Sequence, residues 1–147
     1  MDAHAASTTL ADTINIECET DGLGAVIAQL AHAAARLADV LAAPREPSAA
    51  THEVVNASGD VQQPLDVLAH DIFVAALSCT PVRWLLSEEA DEAIVLDPAG
   101  RFTVAIDPLD GSSNCAINTP IGTIFSISPA YDSDVTSALS GHNIVAA

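Results

Sequence analysis

An apolar run that stops at an acidic, proline-containing turn constrains this chain more than any other stretch. Phe102-Thr103-Val104-Ala105-Ile106 reads as a buried strand, and Asp107-Pro108-Leu109-Asp110-Gly111-Ser112-Ser113-Asn114 follows at once. Two carboxylates therefore stand at a strand end. Asp107 can anchor a cation there, Pro108 fixes the local backbone angle, and the Leu109 carbonyl is left free to point the same way as both carboxylates. Gly111 permits a sharp turn, and Ser112 and Ser113 offer backbone N–H groups and hydroxyls to an anion. Two readings stand side by side. One is a β-turn between strands, since Asp, Pro, Gly and Ser are the usual turn residues; the other is a layout for a metal and a phosphate. An EF-hand is excluded, because the spacing of Asp107 and Asp110 is wrong for it and no Glu follows at the required distance.

Composition narrows the partners. With 147 residues the chain has room for one domain, and 50% of it is hydrophobic, so it is expected to fold, although alanine inflates that figure. Twenty acidic side chains face four basic ones, a formal charge of −16, which argues against nucleic acid and anionic membrane as partners. The basic residues are Arg36, Arg45, Arg83 and Arg101, with no lysine. An anion site in such a chain needs metal ions for its positive charge, or basic residues from elsewhere. Cys18, Cys79 and Cys115 form no C-x-x-C pair, the profile of a reducing compartment. The amino terminus lacks a basic n-region, and no uninterrupted apolar segment reaches the ~18 residues of a membrane span, so the expectation is a soluble, cytoplasmic protein.

Residues 1–20 are polar and read as a loose N-terminal arm. From Leu23 the spacing of Val26, Ile27, Leu30, Ala34, Leu37 and Leu41 predicts an amphipathic helix of about five turns, stopped by Pro44. Pro44 to Ala50 is a connector, and Asn56 to Asp60 is turn-forming. Leu65, Leu68, Ile72 and Ala76 mark a second helix with Pro64 in its first turn. Strands are expected at Val82–Leu86, Ile94–Leu96, Phe102–Ile106 and Ile121–Ile127, followed by an acidic loop over Pro129–Gly141. Asn143 to Ala147 reads as the opening of a further strand or helix.

The first strand delivers Ser87-Glu88-Glu89 at its C-terminal end, as the third delivers Asp107 and Asp110. If those strands are neighbours, the carboxylates and the Leu109 carbonyl converge. Like charges at short range raise each other's pKa or demand a counter-ion, and all-oxygen ligation selects Mg²⁺ or Mn²⁺ over zinc or copper.

In this order and spacing, Ser87-Glu88-Glu89, Asp107 to Asn114 and Ile121-Gly122-Thr123-Ile124-Phe125 resemble class 1 fructose-1,6-bisphosphatase. Gly59-Asp60, Leu65-Asp66-Val67-Leu68 and Asn143 to Ala147 resemble the same family. The resemblance implies a layered α/β (α+β) sugar phosphatase fold with helices packed on a mostly antiparallel sheet. It implies two or more Mg²⁺ ions, with Mn²⁺ as a substitute, held by Glu88, Asp107, the Leu109 carbonyl and Asp110. Gly111, Ser112 and Ser113, beside Asp110, match the segment that holds the sugar 1-phosphate. Glu89 and Asp66 match acids that orient and deprotonate the attacking water, and Asp60 matches an acid on a mobile loop. The implied reaction is hydrolysis of the 1-phosphate of fructose 1,6-bisphosphate to fructose 6-phosphate and phosphate, in gluconeogenesis or the Calvin cycle, by a homotetramer.

Members of this family have roughly twice this many residues. Residues 21–147 are accordingly read as the N-terminal metal-binding part of a sugar bisphosphatase, truncated before its substrate domain, with the second half of the fold missing and little activity expected of the piece alone. Arg101-Phe102 stands where relatives carry a Lys-Tyr pair for the inhibitor AMP, and Cys115-Ala116 where they carry an aliphatic residue and an acid. The alternatives weighed are a bifunctional fructose/sedoheptulose bisphosphatase, an inositol monophosphatase-like enzyme, against which the Ser-Ser-Asn continuation speaks, and a non-catalytic metal-binding fragment.

Overall fold

The computed structural model of the chain describes residues 22–43, 54–55, 61–62, 64–117, 120–131, 135 and 141–147. The expected N-terminal arm and Asp60 lie outside them. Helix α1 spans Leu23–Ala42 and helix α2 Pro64–Leu77. Between them, the two-residue strands β1 (Val54–Val55) and β2 (Val61–Gln62) pair antiparallel; the turn expected at Asn56 to Asp60 lies outside the described residues. Then come β3 (Val82–Ser87), β4 (Ile94–Val95), β5 (Phe102–Asp110), a 3₁₀ helix (Ser112–Ile117) and β6 (Gly122–Pro129).

The larger sheet has the order β4-β3-β5-β6. Its two outer pairings are antiparallel, in keeping with the mostly antiparallel sheet expected. The central one, β3 with β5, is parallel. That parallel pair requires the chain to cross the start of β3 on its way from β4 to β5. The crossing is the turn Asp97-Pro98-Ala99-Gly100, in which the Gly100 N–H donates to the Asp97 carbonyl at 2.8 Å and the Ala99 N–H to Asp97 Oδ1 at 2.9 Å. Gly100 is buried directly against the β3 backbone, where a Cβ would come within 2.5 Å of the Arg83 nitrogen. The next two amides, of Arg101 and Phe102, both donate to the Pro81 carbonyl, at 2.8 and 3.1 Å.

One face of the sheet meets the helices. Val26, Leu30, Ala33 and Leu37 of α1 and Ala69, Ile72, Phe73 and Leu77 of α2 form a common core with Leu85, Val104, Ile106, Leu109 and Ile127. Burying each of the larger side chains among them contributes roughly 1.5–3 kcal/mol. By length and a mean hydropathy of 1.3, α1 could also cross a bilayer, but its apolar stripe packs on α2, as the three-four spacing predicts. The end of α2 is closed by its own polar side chains: Ser78 Oγ donates to the Val74 carbonyl at 2.7 Å and Thr80 Oγ1 to the Leu77 carbonyl at 2.6 Å. The final residues run beside β6, where the Ile127 N–H donates to the Ala146 carbonyl and the Val145 N–H to the Ile127 carbonyl, both at 2.8 Å.

The expected strand at Phe102–Ile106 is longer than its apolar run. It continues through Asp107-Pro108-Leu109-Asp110, so the motif lies within the last turn of the ladder rather than after it. Polar residues at the far end of a strand leave no apolar signal, which is why its length was not legible.

Candidate metal and phosphate site

A strand shows side chains to alternate faces, so two residues three apart should point to opposite sides of the sheet. Asp107 and Asp110 do not. Asp107 pairs with Ile124 and Asp110 with Gly122, so that Pro108 and Leu109 together stand opposite Thr123 alone, a β-bulge. The extra residue corrects the odd spacing. Leu109 joins Val104 and Ile106 in the core, while both aspartates share the face turned away from the helices. Pro108, which has no N–H to offer a ladder, is buried where the ladder is interrupted, and its carbonyl accepts from Thr123 Oγ1 at 2.9 Å.

The parallel pairing brings in the second strand end. Ser87 stands beside Ile106, and the Glu88 N–H donates to the Ile106 carbonyl at 3.0 Å, which sets Glu88 next to Asp107. Leu85 and Ser87 are buried toward the helices, so alternation turns Glu88 to the same far face as the aspartates. A groove of about 440 Å³ opens there, lined by Glu88, Ala105, Asp107, Ile124 and Ser126 among others.

Electrostatics mark this point. The Asp107 carboxyl is pushed up to about 6 from its ordinary 3.8, first by burial, then by a side-chain hydrogen bond with Glu88 and the Glu88 charge, with Asp110 adding to it. The Leu109 N–H, donating to Asp107 Oδ1 at 3.0 Å, acts the other way and is outweighed. Asp107 and Glu88 are thus held close enough to share a proton, at a location built from oxygen donors. Two of the arginines are engaged elsewhere. Arg83 stacks over Trp84 and Arg101 over Phe102, each 5.6 Å from the ring centroid, at the opposite ends of the same two strands. Carboxyls crowded together without a cationic side chain fit a hard divalent cation. No group of three His, Cys, Asp or Glu side chains stands in ligating geometry among the described residues; Glu88 and Asp107 are the pair already together.

After Asp110 the chain turns at Gly111, whose φ of 79° is left-handed. The Asn114 N–H donates to the Gly111 carbonyl at 2.8 Å, closing a turn that leads into the 3₁₀ helix, with Ser112 half-buried and Ser113 exposed. The stretch is thus a turn, as the first reading has it, and it also places Asp107 and Asp110 on one face of the sheet. Asp66, in the first turn of α2, is only 4% exposed. His70 lies one helical turn further on the same face, and its Nδ1 is 2.9 Å from Ser87 Oγ, so that face of α2 looks onto the end of β3. Glu89, half-buried, follows directly; its N–H donates to the same Ser87 Oγ at 3.3 Å. The sequence assigns no role to His70, and Ser87 stands in it only as the first residue of the Ser87-Glu88-Glu89 motif. The signal for them was the spacing of His70 four residues after Asp66 on one helix face.

Comparison with known proteins agrees with this layout. Residues 23–147 match the family described as fructose-1-6-bisphosphatase, N-terminal domain. The chain belongs to the fructose-1,6-bisphosphatase family. It is 48% identical over 120 residues to the class 1 fructose-1,6-bisphosphatase of Paracoccus denitrificans, covering 82% of this chain and 36% of that protein. With a class 1 enzyme of a Bradyrhizobium strain it shares 43% identity over 133 residues, covering 89% of this chain and 39% of the relative. Among solved structures, fructose-1,6-bisphosphatase of Leishmania major in holo form superposes with a TM-score of 0.72 at 25% identity, over 87% of this chain and 41% of that one. A Toxoplasma gondii chain assigned as a sedoheptulose-1,7 bisphosphatase gives 0.66 at 26% identity, over 85% and 39%. The chain spans about two-fifths of the length of these relatives. The bulge, the parallel β3–β5 pair and the left-handed Gly111 are thus features of a chain in a sugar bisphosphatase family.

Proposed function

We propose that this chain supplies the metal-holding and 1-phosphate-holding part of a Mg²⁺-dependent fructose-1,6-bisphosphatase, which releases fructose 6-phosphate and phosphate. The observation that carries the reading is the Glu88–Asp107 carboxyl pair, joined by Asp110 on one sheet face and far from any arginine of β3 or β5. Glu88, Asp107, Asp110 and the Leu109 carbonyl are the groups that would hold Mg²⁺ or Mn²⁺. Bound there, the cation would neutralise phosphate charge and lower the pKa of water. Gly111, Ser112 and Ser113 cradle the 1-phosphate. Asp66 and Glu89 accept the proton of the attacking water, and Asp60 closes over the site. The contacts that select the sugar are expected from the portion of the relatives' length that these 147 residues do not span, so the 147-residue piece alone is expected to turn over little substrate.

Phosphate release by the full-length protein tests this. Excess EDTA abolishes it, and added Mg²⁺ or Mn²⁺ restores it; release that persists in EDTA contradicts the reading. The likeness to the Toxoplasma chain supports a second substrate, sedoheptulose 1,7-bisphosphate, and comparing kcat/KM for the two sugars decides between one activity and two. Assembly as a homotetramer in the cytoplasm completes the proposal, and sedimentation of the full-length protein checks the assembly.

A further inference from the structure

We propose that His70, acting through Ser87, is a positioning residue for the Glu88–Glu89 pair. The inference rests on the function just given. Ser87 is the last residue of β3, only 8% exposed, and the turn after it hangs largely on this one residue. The Glu89 N–H donates to Ser87 Oγ at 3.3 Å and the Ala90 N–H to the Ser87 carbonyl at 3.2 Å, while the Glu88 N–H is held by the Ile106 carbonyl. The direction in which Glu89 leaves the strand therefore depends on the Ser87 side-chain rotamer.

A serine hydroxyl rotates freely unless something fixes it. Here His70 Nδ1, 2.9 Å from Ser87 Oγ, supplies that second anchor, and it is delivered by a different element, α2, from the helix side of the sheet. With a neutral imidazole protonated at Nε2 the Ser87 O–H donates to Nδ1, which leaves the oxygen lone pairs for the Glu89 N–H. Burial favours the neutral ring, with the Asp71 charge opposing more weakly. The same helix face carries Asp66 one turn earlier, so one rigid element fixes Asp66 and, through Ser87, the turn bearing Glu88 and Glu89. Hydrogen-bond partners of metal ligands typically carry about 10–100-fold in metal affinity, and Ser87, next in the chain to Glu88 and bonded to the turn that follows it, is expected at the low end of that range.

The test is Mn²⁺ binding to the full-length protein, followed by the paramagnetic signal of the free ion. His70→Leu and Ser87→Ala are each expected to weaken binding about tenfold and to lower kcat while KM for fructose 1,6-bisphosphate stays within about twofold. His70→Asn, whose amide reaches the place of Nδ1, is expected to restore binding to within about twofold of wild type. A general loss of packing would not be rescued by a smaller polar side chain. Wild-type Mn²⁺ affinity in Ser87→Ala overturns the proposal, as does a His70→Asn protein as weak as His70→Leu. Should His70→Leu fail to fold, Ser87→Ala decides: binding weakened about tenfold supports the proposal and wild-type affinity overturns it. A wild-type protein that binds no Mn²⁺ defeats the proposed function itself, and the positioning role with it.

Discussion

The two ends of the parallel β3–β5 pair are built on opposite rules. At the N-terminal end the backbone is packed to contact: Gly100 lies against Arg83, two amides converge on the Pro81 carbonyl, and each arginine rests on the aromatic ring that follows it. Each positive charge there is seated on a ring. At the C-terminal end the ladder breaks at Pro108 and Leu109, and Glu88, Asp107 and Asp110 gather on one face. The first arrangement stabilises the fold; the second works against it, as the metal site proposed above requires. A site of this kind is held in place by the structure around it, at a cost in stability.

The contrast can be broken at either end. The largest effect is expected for Asp107→Asn, which keeps the shape and removes the charge: activity of the full-length protein should fall about a thousandfold, close to 4 kcal/mol on the barrier, as read by kcat/KM. Next is Gly100→Ala, at the end remote from the site. Its Cβ meets β3 backbone that cannot swing aside, so unfolding in denaturant should show a loss of about 2–3 kcal/mol, with metal affinity unchanged in the fraction that folds. Thr123→Val, which removes the hydroxyl donating to the Pro108 carbonyl, should cost about 1 kcal/mol and weaken Mn²⁺ binding by loosening the bulge.

The smallest effect is in pH dependence. A carboxyl raised to about 6 from its ordinary 3.8 holds its proton more tightly folded than unfolded, so its contribution to stability is full below pH 3.8 and is lost as pH rises through about 6. The metal-free protein should accordingly lose stability over that window, by about 1 kcal/mol after allowance for solvent screening. Asp107→Asn should flatten this part of the profile, as measured by melting at a series of pH values.

Much of this was legible before any coordinates. The helix at Leu23–Ala42 followed from its three-four spacing, the strand starts from their apolar runs, and the carboxylate pair from acids placed at two strand ends. What could not be read were relations between distant segments. The spacing of Asp107 and Asp110 argues, by alternation alone, for opposite faces; only the pairing with Gly122 and Ile124 reveals the bulge that unites them. The adjacency of Glu88 and Asp107 needed the parallel register, which the sequence reading could pose only as a condition. Strands β1 and β2 are two residues each, too short to carry any periodicity. The link between His70 and Ser87 is likewise invisible in the sequence, because the two lie seventeen positions apart on different elements.

The central claim is that the bulge end of β5 is an electrostatic conflict awaiting a divalent cation, and thermal melting at pH 7.5 with and without Mg²⁺ tests it most directly. Mg²⁺ should raise the melting midpoint of the wild-type protein and leave that of Asp107→Asn unmoved, while without Mg²⁺ the variant should melt above the wild type. Equal stabilisation of both proteins by Mg²⁺, or of neither, would contradict the account.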